Sequence, residues 1–321
     1  MDILELKNKV LEGYKINRDE AIELYNSDYE TLTKSADEIR EHFCGNDFDV
    51  CSIINAKSGR CSENCKFCAQ SAHYNTNIEE YGLLEEEIIV ADAVDKFNRG
   101  IPRFSMVSAG KGLTEEDIDK VCRITKKIYE KAPGIKVCLS GGLISEEGFE
   151  KLKKAGIKRV HNNLETSRNY FDKVCTTHTY DQKIETIKAA QEAGMEICSG
   201  GLIGLGESFE DRIDMALELR DLNVKSIPVN LLNPIKNTPY ENNKILPMEE
   251  VNRTCATFRF INPDASIRLA GGRALMEEFG ESAFKSGANA TISGVLLTTQ
   301  GASIEEDMER FKELNYNVKA V

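Results

Sequence analysis

Along most of this chain, short β-branched runs alternate with stretches that carry apolar residues at helical spacing. The runs "DVCSII" (49–54), "RFSMVSA" (103–109), "IKVCLS" (135–140) and "KRVHN" (158–162) read as strands. So do "MEICSG" (195–200), "SIPVNLL" (226–232), "SIRLAG" (266–271) and "ATISG" (290–294). Helical stretches lie between them, among them "EEDIDKVCRITKKIYEK", "YDQKIETIKAAQEAG" and "FEDRIDMALELRDLN". Ser145 suits a helix N-cap, and Gly156 and Gly194 suit helix ends. The opening 44 residues read as two or three amphipathic helices. Eight strands alternating with helices predict an α/β fold, a (β/α)8 TIM-type barrel over residues 46–321 behind an N-terminal helical extension over 1–45. An open doubly wound sheet fits less well. No early G-x-G-x-x-G opens a helix, and Gly201, Gly204 and Gly206 have the wrong spacing for one.

Composition narrows the function. Hydrophobic residues at 41% and charged residues at 29% are ordinary for a globular chain. A net charge of −12 opposes nucleic-acid binding, which needs a basic footprint, and points to a small-molecule partner. No window approaches the ~20 apolar residues of a membrane span. "MDILELKNKV" lacks the basic-then-apolar order of a secretory signal, so a cytoplasmic location is expected. The ten cysteines should then be reduced thiols, and isolated ones usually serve as packing.

Three of them are not isolated. Cys61, Cys65 and Cys68 fall within "CSENCKFC", spaced C-x3-C-x2-C. Zinc would need a fourth ligand, for which His73 is near in sequence. A fully ligated iron–sulfur cube would need a fourth cysteine, and none follows before Cys122. A cube held by three cysteines leaves one iron open to a chelating ligand.

That motif, with Phe67 in its aromatic slot, resembles the signature of the radical S-adenosylmethionine (SAM) enzymes. The resemblance implies a 4Fe–4S cluster that binds SAM and reductively cleaves it to a 5′-deoxyadenosyl radical. A wider set of stretches, "HNNLETS" (161–167), "TTHTYDQK" (176–183), "CSGGLIGLGE" (198–207) and "IRLAGGR" (267–273), resembles the biotin synthases in order and spacing from about residue 45 to 315. It implies radical sulfur insertion into dethiobiotin, in two SAM-dependent rounds. By the same resemblance, Asn163 and Asn230 bind the ureido group, which suits an amide that both donates and accepts. SAM contacts fall to Phe67, Ser108, Ala109, Glu165, Lys183 and Leu202. The Gly200–Gly206 run is expected to let backbone approach the adenosine. A low-potential donor such as flavodoxin or ferredoxin, and a homodimer, are also implied.

One departure matters. The family commonly holds an auxiliary 2Fe–2S cluster on three cysteines and an arginine. Cys138, Cys198 and Arg268 match, but the third cysteine position is Ser105, a poor ligand for soft iron–sulfide centres. Cys51, in the first strand, is expected to replace it. Cys51, Cys138 and Cys198 would then hold an auxiliary cluster, 2Fe–2S or larger with an extra sulfide, and Arg268 would be its ligand or its neighbour. A related radical SAM enzyme of cofactor or hydrogenase-maturation chemistry, and a non-catalytic metal-stabilised binding protein, are the alternatives. Cys175 and Cys44 carry no assigned role.

Overall fold

The computed structural model describes residues 2–297 and 301–321. Three helices come first: α1 (Ile3–Leu11), α2 (Arg18–Tyr25) and α3 (Tyr29–Cys44). Asp2, Asn17 and Asp28 cap them, each side chain accepting from first-turn amides. Their apolar faces, with Leu24, Leu32 and Ile39 fully buried, join the same core as Phe258 of the barrel's outer layer.

The strands then alternate with helices as the pattern predicts. They are β1 (Asp47–Lys57), β2 (Arg103–Ser108), β3 (Lys136–Ser140), β4 (Arg159–His161), β5 (Glu196–Cys198), β6 (Gly201–Ile203), β7 (Ser226–Leu231), β8 (Ser266–Leu269), β9 (Ala290–Ile292) and β10 (Asn317–Lys319). All pair in parallel, and β1 pairs with both β2 and β9, so the barrel closes. The helices α4 (Glu86–Asn98), α5 (Glu115–Lys131), α6 (Glu146–Ala155), α7 (Phe171–Val174), α8 (Tyr180–Glu192), α9 (Phe209–Asp221), α10 (Met248–Ile261), α11 (Glu281–Phe284) and α12 (Ile304–Glu313) follow or interrupt them. Ser145 does cap α6, and Gly156 ends it in the left-handed conformation.

Two features differ from the pattern. The fifth stave is split: β5 stops at Cys198, and β6 resumes at Gly201 on the same neighbour, β7. Beside the eight staves, β10 pairs with the start of β1, through Asp47, Phe48 and Asp49. Its polar alternation, Asn317 and Lys319 about Val318, carries little strand signal. The split falls where the backbone is crowded. A Cβ on Gly200 would meet the Pro228 carbonyl oxygen at 2.0 Å, and one on Gly201 would meet that of Glu165 at 2.3 Å. At these two glycines the protein's own backbone comes too close to admit a side chain.

Candidate active site

Side chains alternate across a strand, so inward positions recur every second residue. Asp49, Cys51 and Ile53 therefore share one face of β1, as Arg103, Ser105 and Val107 do on β2. The barrel interior rises in levels from these positions.

The floor is charged. Asp49 is fully buried and accepts from three guanidiniums: Arg268 at 2.6 Å, Arg159 at 3.0 Å and Arg103 at 3.3 Å. Burial alone would raise the Asp49 carboxyl, but Arg268, Arg103 and Arg159 outweigh it and hold it below the usual carboxylate range. Arg103 and Arg159 each also donate to the Val321 carbonyl oxygen, at 2.6 and 2.7 Å. Glu196 reaches Arg159 from the exposed side. Three guanidiniums thus share one buried carboxylate at the bottom of the barrel.

Above the floor come the sulfurs. Cys51, Cys138 and Cys198 are all buried and line one cavity of about 390 Å³. Ser105 lies beside Cys138 in register, and Cys51 beside Arg103. The Arg103 guanidinium approaches Cys138 Sγ at 3.5 Å, and Ser226 Oγ donates to Cys198 Sγ at 3.3 Å. Burial, reinforced by Cys138, pushes the Cys51 thiol up to about 12. Cys198 goes the other way: burial opposes ionisation, yet His161, its register partner, together with Arg268 and Arg159, brings it down to about 6. The donor set is thus soft and buried, with arginines close to its sulfurs, which fits an iron–sulfur centre. Arg268 Nη1 donates to the carbonyls of Asp49 and Thr291, and Nη2 to the Asp49 carboxylate, so both terminal nitrogens are already engaged.

The middle of the cavity carries the amides. Asn163 Oδ1 accepts from Gly200 N at 3.1 Å, and its Nδ2 donates to Glu165 Oε2 at 3.2 Å. Asn230 does likewise between Gly271 N at 2.8 Å and Gly201 O at 3.0 Å. Both side chains therefore bridge the split stave to its neighbours. Each amide keeps one N–H and one lone pair free for a ligand. Glu165 holds φ at +73°, a left-handed conformation rare outside glycine and enriched at functional sites.

The mouth is a loop. Cys61, Cys65 and Cys68 are half-buried free thiols on the same cavity wall. Backbone turns fix them: Cys61 N donates to Gln70 O and Cys68 N to Cys65 O, both at 3.0 Å. Phe67 and Leu202 pack in one small apolar cluster with Leu205 and Leu232. Ser108, Ala109 and Lys183 also line the cavity, and Lys183 Nζ donates to Asn162 Oδ1 at 3.1 Å. Ser108 Oγ and Asn162 Nδ2 are buried on that wall without partners among the described residues, as a wall built for a polar ligand would leave them. His73 is no partner for these cysteines; it faces the Ser62 carbonyl oxygen at 3.0 Å.

Every residue assigned above to a cluster, to SAM or to the ureido group thus lines one cavity. The sequence reading passed over His161, Arg103, Arg159 and Asp49. Strand parity carried the signal, since each lies two residues from an inward residue or faces one in register. The sequence reading assigned no role to Cys175 or His178, which stand against the cysteine loop.

Residues 56–219, holding the three-cysteine loop, match the model of the radical SAM superfamily, and residues 228–317 match the Biotin and Thiamin Synthesis associated domain. The biotin synthase of Brachyspira hyodysenteriae is 55% identical over 98% of this chain and 94% of its own length. Those of Akkermansia muciniphila, 53% over 98% of both chains, and Clostridium botulinum strain Alaska E43, 52% over 99% of this chain and 100% of its own, are similar. Among solved structures, methylornithine synthase superposes with a TM-score of 0.82 at 18% identity, covering 98% of this chain and 97% of its own. The FeFe-hydrogenase maturase HydG from Carboxydothermus hydrogenoformans superposes at 0.83 and 18%, covering 98% and 79%. Those two likenesses speak for the fold alone. The full-length relatives go further: this chain belongs to the biotin synthase family of radical SAM enzymes.

Proposed function

We propose that this enzyme converts dethiobiotin to biotin by radical sulfur insertion, with the sulfur drawn from an auxiliary cluster on Cys51, Cys138 and Cys198. The observation that carries the reading is one cavity with a three-cysteine loop at its mouth, a second cysteine trio in its interior and two amides between. When bound, a 4Fe–4S cluster on Cys61, Cys65 and Cys68 supplies the electron that cleaves SAM, and the auxiliary cluster supplies the sulfur.

The chain's own residues do the positioning. The free N–H and lone pair of Asn163 and Asn230 face the complementary groups of a ureido ring. Glu165 accepts from ribose hydroxyls, Lys183 balances the SAM carboxylate, and the carbonyls of Ser108 and Ala109 accept from its amino group. Phe67 and Leu202 give the adenosine an apolar wall. Arg268 acts as a neighbour of the auxiliary cluster, since its terminal nitrogens are engaged by Asp49 and Thr291. Burial of the interior trio excludes water and competing hydrogen donors. The half-buried mouth leaves its cluster near the surface, where a flavodoxin or ferredoxin could dock, and a homodimer in the cytoplasm completes the reading. No helix among the described residues is long and apolar enough to cross a membrane.

Protein reconstituted anaerobically with iron and sulfide, then given SAM, a low-potential reductant and dethiobiotin, tests the reading by mass spectrometry. Both 5′-deoxyadenosine and biotin are expected. Deoxyadenosine without biotin would discard the substrate or the sulfur donor. Cys51→Ala protein is expected to lose the auxiliary iron and keep the mouth cluster; full iron content would remove Cys51 from the ligand set.

A further inference from the structure

The loop that follows α7 presses Cys175, Thr176, Thr177 and His178 against the cysteine loop. Its anchoring is dense. Lys66 N donates to Val174 O at 3.0 Å, Asn64 N to Thr177 Oγ1 at 3.1 Å, and Thr176 N to Asn64 Oδ1 at 2.9 Å. Within this scaffold Cys65 Sγ, Cys175 Sγ and a ring nitrogen of His178 all lie within 4.8 Å of one another. Theirs is the only such trio of ligand-type side chains among the described residues. Cys175 Sγ stands 3.3 Å from His178 Nδ1, and Glu63 Oε2 stands 2.6 Å from the same nitrogen. Cys175 and His178 are 1% and 7% exposed, and His178 Nε2 is buried without a partner.

Two thiols and an imidazole gathered this tightly match the donors of a borderline-soft divalent cation in tetrahedral coordination. Backbone bonds already hold them, so little chain ordering opposes binding. We propose that Cys65, Cys175 and His178 form a mononuclear site for a zinc-class divalent cation in the cluster-free protein, with Glu63 or water in the fourth position. Binding releases the thiol protons to solvent. Cys65 belongs to this site and to the C-x3-C-x2-C loop, so the two metal centres exclude each other. That exclusion, unlike the binding, rests on the reading of Cys61, Cys65 and Cys68 as cluster ligands.

Full-length protein, stripped of iron anaerobically under reductant, is titrated with cobalt(II) alone. One equivalent is expected to bind, with thiolate-to-cobalt charge-transfer bands and tetrahedral d–d bands that zinc(II) abolishes. Cys175→Ser and His178→Asn should each weaken binding by about tenfold or more, whereas Cys61→Ala and Cys68→Ala leave it unchanged. The reverse pattern, or no stoichiometric binding, overturns the site. A measurement on the unaltered chain guards against misfolded variants: zinc should protect Cys65 from alkylation and leave Cys61 and Cys68 reactive. Protection of Cys61 and Cys68 instead would overturn the assignment. Iron and sulfide uptake should be blocked in zinc-loaded protein. Unimpeded uptake would overturn the shared role of Cys65 while leaving the cation site standing.

Discussion

At the mouth of the cavity, Cys61, Cys65 and Cys68 sit half-buried on a loop held by turns and by hydrogen bonds from a second loop. At the floor, Asp49 and three arginines are locked on strands and sealed from solvent. The mouth is held by backbone and side-chain hydrogen bonds between two loops, and its thiols stay partly open to solvent. The floor is held by buried ion pairs between strands and offers no opening of its own for a ligand. One end presents its reactive groups, whereas the other uses its charges to hold the barrel together. That difference sets what each end does when damaged.

The sharpest way to break the comparison is to remove one cysteine from each trio. Cys68→Ala should reduce 5′-deoxyadenosine and biotin to background together. Cys138→Ala should abolish biotin yet leave deoxyadenosine formation, read by mass spectrometry. If both variants lose both products, the two ends are not separable.

Stability comes next. Asp49→Asn leaves the guanidiniums of Arg103, Arg159 and Arg268 without their shared carboxylate, and should cost about 3–5 kcal/mol in urea unfolding. Glu165→Gln, above the floor beside Asn163, should leave stability within about 0.5 kcal/mol and raise the KM for SAM. The pH dependence follows from the sign of the Asp49 shift. Its carboxyl is held low in the fold, so its stabilisation is fully present above the ordinary carboxylate pKa of about 3.9 and is lost only as pH falls through the lower, folded value. The Asp49→Asn penalty should therefore be constant from neutrality down to about pH 5 and shrink in stronger acid.

Smaller effects sharpen the middle of the cavity. Asn230→Ala removes a bridge to Gly271 and Gly201, and one ligand hydrogen bond. A rise of about tenfold in the KM for dethiobiotin is expected, from the roughly 1.5 kcal/mol of such a bond. Glu165→Gly relieves a left-handed φ, and should raise stability by about 1 kcal/mol while weakening SAM binding. Unfolding and binding titrations on one sample would separate the two.

The barrel was legible because β-branched runs and helical periods alternate cleanly, and because capping residues such as Ser145 and Gly156 mark where helices stop. The mouth was legible through local spacing, and the rest of the cavity through family resemblance. Hidden features were those that depend on contacts between distant segments. The gap between Cys198 and Gly201 falls where the carbonyls of Pro228 and Glu165 come too close for a side chain, which no local pattern announces. Asp49, Arg103 and Arg159 read as ordinary charges in short strands; only closure of the barrel turns them toward one another. Cys175 and His178 gain meaning solely from the loop they press against.

The sealed floor has a further consequence. Arg103, Arg159, Arg268 and Asp49, with the Val321 carbonyl below them, close that end of the cavity among the described residues. On the function proposed above, SAM occupies the opposite end, beside the three-cysteine loop. Restocking the interior with sulfide would then wait until SAM or its products had left, and each round of sulfur loss would commit the enzyme to a pause.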